Sequence, residues 1–194
     1  MRMFVAIRPP DHVIEDLDDF LAPRREASRL RWTHPDTWHL TLAFMADVPD
    51  RSRDELEERL GEAAARRRPF DLRLAGGGAF PDPTRAKVLY ADVRADDPVE
   101  LDRLAVGARN AAATSGAPPD GAAFVPHLTL ARMNRPVEAT RWLRVLGAYD
   151  GPTWTVDEVE LVASHLGEGP RNRPRHEPVA TFGLVATRES RHAE

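Results

Sequence analysis

The sequence predicts an α+β protein whose strands pair mostly in an antiparallel way. Segments with strand character come in runs between single helices, which is typical of α+β folds rather than of doubly wound parallel sheets. The chain has 194 residues, of which 42% are apolar, enough to bury one core. One pentapeptide also recurs in each half of the chain. We therefore expect residues 1–194 to form a single domain made of two lobes.

The first half of the chain predicts two helices among four strands. Asp11 can cap a helix whose apolar residues recur at helical spacing, and Pro23 is expected to end or kink that helix. Pro49 begins a second helix, which ends before Pro69. The three glycines from Gly76 to Gly78 predict a flexible turn or a bulge. From apolar runs and alternating patterns, strands are predicted at residues 3–7, 30–32, 38–44 and 70–74.

The second half has a similar organisation. Helices are predicted to begin at Pro98 and just after Pro136, and residues 114–123, rich in Gly, Pro and Ala, predict a loop. A second loop is predicted over residues 167–178, and its basic side chains either are solvated or contact an RNA backbone. These side chains are Arg171, Arg173 and Arg175, with solvation favoured, and the same segment also carries His176. Strands are predicted at residues 87–93, 124–131, 154–163 and 179–186.

Composition and charge exclude several classes of protein. The 27 basic and 31 acidic side chains leave a net charge of −4, whereas a non-specific nucleic-acid binder presents a broad basic face. The chain has no cysteine, which excludes disulfide scaffolds, zinc ribbons, iron–sulfur clusters and thiol nucleophiles. No apolar run approaches the roughly 20 residues of a membrane span, and the first residues lack the pattern of a signal peptide. We expect a cytoplasmic protein with no membrane association.

The repeated pentapeptide carries the chemistry. The sequence His-Leu-Thr-Leu-Ala occurs twice, beginning at His39 and at His127, in a chain that has only seven histidines. Both copies lie in predicted strands, where residues two apart share a face. His39 and Thr41 therefore point to one side while the leucines point into the core, and His127 and Thr129 do the same. If the two strands face one cleft, two imidazoles and two hydroxyls converge there.

Such a set of side chains fits acid–base catalysis of phosphoryl transfer. Histidine titrates near neutral pH, so one imidazole can accept a proton from water while the other donates one to the leaving oxygen. The threonine hydroxyls can bind the non-bridging oxygens of a phosphate. Arg132 is the nearest arginine able to complete the anion site. Strict strand alternation places Arg132 on the leucine face, so a strand end or a bulge is needed for it to reach the cleft.

Other interpretations of the two motifs are weaker. One isolated His-x-Thr in a strand is usually structural, but two matched copies favour a catalytic pair. A metal site usually takes a carboxylate or a further histidine, and neither motif contains Asp or Glu, while threonine is a poor zinc ligand. A Gly-x-Ser-x-Gly elbow and a P-loop lysine are both missing. We expect no metal and no cofactor.

At these motifs the sequence resembles the 2H phosphoesterase superfamily, named for its two His-x-Thr/Ser motifs. Within it, the sequence is most similar to the RNA 2′,3′-cyclic phosphodiesterases, often labelled 2′–5′ RNA ligases. The chain departs from the usual pattern at Met45-Ala46, where Leu-Gly is typical, and in a more basic segment at residues 171–175. The likeness spans almost the whole chain and includes residues 2–7, 31–32, 39–44, 78–81, 86–90, 124–132 and 161–166.

The resemblance implies a bilobal fold, with two mostly antiparallel sheets and flanking helices related by a pseudo-twofold axis around a cleft. It implies hydrolysis of a ribose 2′,3′-cyclic phosphate to a 2′-phosphate without a metal. Carried onto this chain, His39 is the proton donor to O3′ and His127 is the proton acceptor from water. Thr41, Thr129 and Arg132 would hold the phosphate.

Phe44 follows the first motif and can be interpreted in two ways. It could stack on the terminal base of a substrate, a contact that tolerates any base. Its parity with Leu40 and Leu42 instead favours a position in the core. Of the other histidines, His34 is interpreted as a turn residue and His165 is left unassigned.

Three functions follow as hypotheses. The first is hydrolysis of a 2′,3′-cyclic phosphate on RNA ends or small nucleotides. The second is the reverse reaction, 2′–5′ RNA ligation, and the third is a binding module for RNA ends or phosphate without turnover. Intact histidines in both motifs favour an enzyme, and we expect it to act as a monomer with no protein partner.

Overall fold

The computed structural model describes residues 1–121, 123–169 and 173–186 as an α+β fold, which confirms the predicted class. The four helices of these residues are α1 (Asp11–Glu26), α2 (Arg53–Ala65), α3 (Pro98–Thr114) and α4 (Thr140–Leu146). The eight strands are β1 (Met3–Ile7), β2 (Leu40–Met45), β3 (Phe70–Phe80), β4 (Ala86–Ala95), β5 (His127–Val137), β6 (Trp154–Val156), β7 (Glu158–Gly169) and β8 (Arg173–Gly183). No helix of the described residues is both long and apolar enough to cross a bilayer.

The eight strands form one antiparallel sheet with the order β6-β3-β4-β5-β2-β1-β7-β8. Its two four-stranded halves meet between β5 and β2, where Leu40 and Leu128 are the only paired residues. The resemblance implied two sheets, whereas the structure joins the halves into one sheet through this pair. The two copies of the repeated motif therefore begin beside each other at the centre of the molecule.

The leucines of both motifs lie in the main hydrophobic core. Leu40, Leu42, Leu128 and Leu130 are each at most 2% exposed and belong to the same cluster as the apolar faces of α1, α2 and α3. Burying a leucine side chain contributes roughly 1.5–3 kcal/mol. This burial fixes which way the strands face, so the histidines and threonines between the leucines are directed to the opposite side of the sheet.

Several predicted boundaries differ from the structure, and three of the differences have a clear physical reason. Helix α1 continues through Pro23 to Glu26, because the proline lies in the last turn and the buried residues before it hold the helix on the core. Residues 30–32 form only an isolated bridge, between Trp32 and Ala131. The strand predicted at residues 154–163 divides at Asp157, because β6 pairs with β3 while β7 pairs with β1 at the other side of the sheet.

Two predicted interruptions lie within strands, and at the first of them the predicted bulge is confirmed. The glycines from Gly76 to Gly78 lie inside β3, which contains a bulge between Leu74 and Gly77; Gly76 has a φ of 75°, a conformation that favours glycine. The loop predicted over residues 167–178 is wrong, since β7 and β8 extend into this segment and pair as a hairpin. Arg171 lies outside the described residues.

Candidate active site

A one-residue bulge interrupts each copy of the repeated motif. In the ladder between β1 and β2, Leu42 has no partner of its own, because Thr41 and Ala43 pair with consecutive residues of β1. In the ladder between β4 and β5, Leu130 is the extra residue in the same way. A bulge of this kind shifts the alternation of side chains by one position. Both motifs are therefore bent at the same place.

The bulges decide where Phe44 and Arg132 lie. After the shifted alternation, each of these residues returns to the side of the sheet that carries the threonine of its motif. Arg132 reaches the cleft because the bulge at Leu130 moves it from the leucine face to the threonine face. Phe44, whose parity favoured the core, lines the cavity and packs against the small apolar cluster that contains Phe4 and Val162.

One cavity collects both motifs. Its volume is about 480 Å³, and it opens on the side of the sheet opposite the leucines. All six residues that the sequence singled out line it: His39, Thr41, Phe44, His127, Thr129 and Arg132. The two histidines are 88 positions apart in the chain (127 − 39), so only the central position of β2 and β5 brings them together.

Each of the two imidazoles is oriented by a hydrogen bond of the same type, from Nδ1 to a backbone carbonyl. Nδ1 of His39 lies 2.7 Å from the carbonyl oxygen of Thr37, and Nδ1 of His127 lies 2.7 Å from that of Val125. A carbonyl can only accept, so Nδ1 carries the hydrogen in both rings. Nε2 is then the nitrogen of each ring that is left to exchange a proton with a ligand.

Aromatic rings pack against both imidazoles. Phe4 lies parallel to His39 with the ring centroids 4.5 Å apart and an angle of 17° between the planes. Phe80 and Tyr90 contact His127 edge to face, at 5.0 and 5.4 Å between centroids. These contacts limit rotation of the rings, so the carbonyl hydrogen bond and the packing together fix the direction of each Nε2.

Burial lowers the pKa of both histidines. The pKa of His39 falls to about 4, mainly because the ring is desolvated; the Thr37 carbonyl acts in the opposite direction, and His176 adds to the lowering. Desolvation also lowers the pKa of His127, with Arg132 adding to the effect. Both imidazoles are therefore mainly neutral at neutral pH before an anion binds.

The cavity is lined by cations and not by acids. Among the described residues, four arginines line it and no aspartate or glutamate does, although the whole chain has a net charge of −4. None of these arginines forms an ion pair with a described carboxylate; they are Arg2, Arg31, Arg132 and Arg173. Such a lining selects a negatively charged ligand.

The sequence did not identify His176 as a cavity residue. It lies on β8 opposite Ser164 of β7, and its ring is perpendicular to that of His39 with the centroids 5.4 Å apart. Charged residues and two prolines hid the strand character of residues 173–178. The scarcity of histidine in the chain was the one signal that could have drawn attention to it.

The other histidines have different surroundings. His165 pairs with Glu168 and Glu177 on the β7–β8 hairpin and is not a lining residue of the cavity. His34 accepts a hydrogen bond from the backbone N–H of Asp36 at the start of a short turn, as predicted, and also lies at the cavity wall. No group of three or more His, Asp or Glu side chains suited to a metal ion occurs in the part of the chain that the structure describes.

This fold and cavity place the protein in a known class. A profile of the 2′-5′ RNA ligase superfamily matches residues 9–168, so the chain belongs to that superfamily, which confirms the resemblance to 2H phosphoesterases. The RNA 2′,3′-cyclic phosphodiesterase of Geobacillus stearothermophilus is 30% identical over 166 residues, 84% of this chain and 50% of the relative. The chain thus spans about half the length of that relative.

Matches to the Escherichia coli protein cover nearly both chains. The RNA 2′,3′-cyclic phosphodiesterase of E. coli is 30% identical over 186 residues, which cover 95% of this chain and 97% of the relative. The crystal structure of E. coli LigT in the apo form superimposes with a TM-score of 0.76 at 28% identity and covers 95% and 98% of the two chains. LigT has also been crystallised with 3′-AMP and with phosphate.

Proposed function

We propose that this protein hydrolyses 2′,3′-cyclic phosphate ends of RNA or nucleotides to 2′-phosphates, with two histidines and no metal. The observation that carries the proposal is the matched pair of imidazoles, each with Nδ1 bound to a carbonyl and Nε2 left for a ligand, in one cavity whose described lining residues include no aspartate or glutamate. Relatives that match 95% and 84% of the chain are named RNA 2′,3′-cyclic phosphodiesterases. The same activity is proposed here for this chain.

In the proposed reaction, the side chains of both motifs surround one phosphorus atom. Arg132 and the two threonine hydroxyls bind the non-bridging oxygens, whose charge increases in the transition state. His127 accepts a proton from water as the water oxygen bonds to phosphorus. His39 donates a proton to O3′ as the bond between phosphorus and O3′ breaks. The product carries a 2′-phosphate and a free 3′-hydroxyl.

His39 must gain a proton before it can act as the donor. Its pKa of about 4 describes the cavity without an anion. A bound phosphate places negative charge beside the ring and favours the imidazolium, so the pKa rises in the complex. The division of roles between His39 and His127 therefore depends on how far the substrate raises this pKa.

The base of the terminal nucleotide is proposed to contact Phe44. This ring is part of the cavity wall on the same side as Thr41, so a nucleotide whose phosphate lies between the histidines has an aromatic surface beside it. Stacking on such a surface contributes roughly 1–3 kcal/mol per base and does not select one base. RNA ends of different sequence would then be accepted.

The two halves of the molecule are proposed to be related by a pseudo-twofold axis within one domain. Counting outward from the centre, β5, β4, β3 and β6 would correspond to β2, β1, β7 and β8. Support comes from the matched bulges at Leu42 and Leu130 and from the matched carbonyl bonds of the histidines. The axis would pass between Leu40 and Leu128.

One assay tests the proposed reaction. An RNA ending in a 2′,3′-cyclic phosphate is incubated with the protein in the presence of a chelator, and the product end is identified. A 2′-phosphate supports the proposal, whereas a 3′-phosphate would mean that O2′ is the leaving group. A requirement for divalent metal, or no turnover at all, would contradict it; tight binding without turnover would indicate a binding module.

The ligation alternative uses the same residues in reverse. If His39 and His127 catalyse opening of the cyclic phosphate by water, they also catalyse attack by a 5′-hydroxyl, which gives a 2′–5′ linkage. Water is present at far higher concentration, so hydrolysis should dominate. The expected cytoplasmic location and monomeric state stay predictions.

A further inference from the structure

The cavity holds more positive charge than one cyclic phosphate requires. A 2′,3′-cyclic phosphate carries a single negative charge, and Arg132 with the two histidines already lies at the proposed catalytic centre. Arg2 and Arg173 line the same cavity without an ion pair to a described residue. Arg175, on the same strand as Arg173, is by contrast paired with two carboxylates. The unpaired cations indicate a second anion.

Three groups suited to that anion lie close together on β7, on β8 and at the residue just before β1. The backbone N–H of Ser164 donates to the carbonyl of Arg2 at 2.9 Å, and Ser164 is directly opposite His176 in the β7–β8 ladder. All three side chains line the cavity. Ser164 is only 7% exposed, and its hydroxyl has no hydrogen bond to a described residue. A guanidinium, a hydroxyl and an imidazole thus meet at one place.

The charges at this place repel one another until an anion binds. The pKa values of His176 and Arg132 are both lowered, and the causes are the same for the two groups. Burial has the larger effect, and the positive charge of Arg2 adds to it. A carboxylate between these groups would remove the repulsion, but none of the described carboxylates lines the cavity. A bound phosphate would supply the missing negative charge.

Arg2 also lies beside the proposed site of the terminal base. Its guanidinium lies over the Phe44 ring, with the guanidinium carbon 4.5 Å from the ring centroid, so a base that contacts Phe44 also meets Arg2. A nucleotide with its cyclic phosphate between the histidines and its base at Phe44 presents its 5′ carbon as the point of attachment for the next phosphate. Arg2 is the cation beside that ring and is not needed at the catalytic centre.

We infer that Arg2, Ser164 and His176 form a second subsite, which binds the phosphate on the 5′ carbon of the terminal nucleotide. The inference rests on the proposed function for the position of the first phosphate. This subsite would make the protein bind cyclic-phosphate ends that carry a 5′ phosphate group, as in RNA, more tightly than nucleoside 2′,3′-cyclic phosphates. Selectivity then comes from charge and not from the identity of the base.

Binding of two product analogues tests the subsite without requiring turnover. Adenosine 2′-phosphate and adenosine 2′,5′-bisphosphate differ only in the 5′ phosphate, and their Kd values are measured by calorimetry at low salt. We expect the bisphosphate to bind about tenfold more tightly or better, the value of one charge-assisted contact. Equal Kd values for the two ligands would overturn the inference.

Matched variants assign the effect to the subsite. Arg2→Gln and Ser164→Ala should each bring the ratio of the two Kd values toward one. Arg175→Gln removes the same charge on the hairpin outside the cavity and should leave the ratio unchanged. A ratio that survives in both subsite variants, or that falls equally in the control, would show that the net charge of the protein and not this site is responsible.

Two further measurements separate the source of the phosphate and the proposed function. A dinucleotide ending in a 2′-phosphate carries a phosphodiester at the same 5′ carbon. If its Kd matches that of the bisphosphate, the subsite recognises an RNA strand. If its Kd matches that of adenosine 2′-phosphate, the subsite recognises only a terminal 5′ monoester. For turnover, Ser164→Ala, which removes a hydroxyl with no hydrogen bond to His39 or His127, should raise KM for the dinucleotide cyclic phosphate and leave KM for the nucleoside cyclic phosphate unchanged. Loss of all turnover with the Kd ratio retained would overturn the proposed function but support the subsite; a ratio of one with turnover retained would do the reverse.

Discussion

At the scale of single residues, the two cavity histidines have matched surroundings and should be equally necessary. General acid–base catalysis contributes about 10²–10⁴-fold, so His39→Ala and His127→Ala should each lower kcat/KM on a cyclic-phosphate RNA by roughly a hundredfold or more. His165→Ala is the control, because that ring pairs with glutamates outside the cavity. A folded His39 or His127 variant with near-normal turnover would remove that residue from the mechanism.

The proton on His39 gives a second prediction at this scale. Titration by NMR should find its pKa near 4 in the free protein and clearly higher with phosphate bound, because the anion stabilises the imidazolium. If the pKa of His39 stays near 4 with phosphate bound while that of His127 rises, the proton donor is His127 and the roles are reversed.

At the scale of elements, the single residue pair between β2 and β5 positions the proposed catalytic groups. Leu128→Ala should lower the free energy of unfolding by about 2–5 kcal/mol, since Leu128 is fully buried. It should also lower kcat, because Leu128 lies between His127 and Thr129 and pairs with Leu40 across the junction. Leu104→Ala, equally buried on α3, should lower stability to a similar extent but leave kcat unchanged. Urea unfolding and kcat measured on the folded variants distinguish the two effects.

The bulges mark the limit of what sequence pattern alone predicts for these strands. Alternation with period two correctly divided the motif residues into a core face and a cleft face. It failed at Phe44, because a bulge adds one residue to the count without any residue type that signals it. Arg132 could be assigned only on the condition that a bulge exists. The pairing with β1 and β4 creates both bulges, and pairing partners are not visible in a single sequence.

The β7–β8 hairpin was missed for a different physical reason. Strand prediction relies on buried side chains, whereas most of the residues 173–178 are charged or proline and face solvent or the cavity. Backbone pairing with β7 makes this segment a strand. His176 was therefore predicted in a loop, although it lies 5.4 Å from His39 between ring centroids.

At the scale of the whole molecule, the fold class was predictable from the sequence, but the joining of the two halves into one sheet was not. Runs of strands between helices specify α+β, and a repeated motif indicates two related halves. Whether those halves form separate sheets depends on one pair of residues, Leu40 and Leu128, whose side chains look like any other core leucines. Long-range pairing of this kind has no local signal.

The cavity histidines should also make the stability of the whole molecule depend on pH. The pKa of His39 is about 4 in the folded protein against an ordinary value of 6.5, so the unfolded chain binds a proton between these values that the folded protein does not. The stabilising contribution is complete above about pH 6.5 and is lost as the pH falls toward 4. His127 and His176, whose pKa values are also lowered by burial, act in the same direction.

Urea unfolding at a series of pH values measures this dependence. Between pH 6.5 and 4 the midpoint of the wild-type protein should fall more steeply than that of His39→Gln, whereas His12→Gln, at an exposed position, should follow the wild type. Phosphate should reduce the loss, because it binds the folded cavity and favours the protonated rings there. Equal slopes for His39→Gln and the wild type would mean that His39 is solvated in the folded protein, which would contradict its burial beside Phe4.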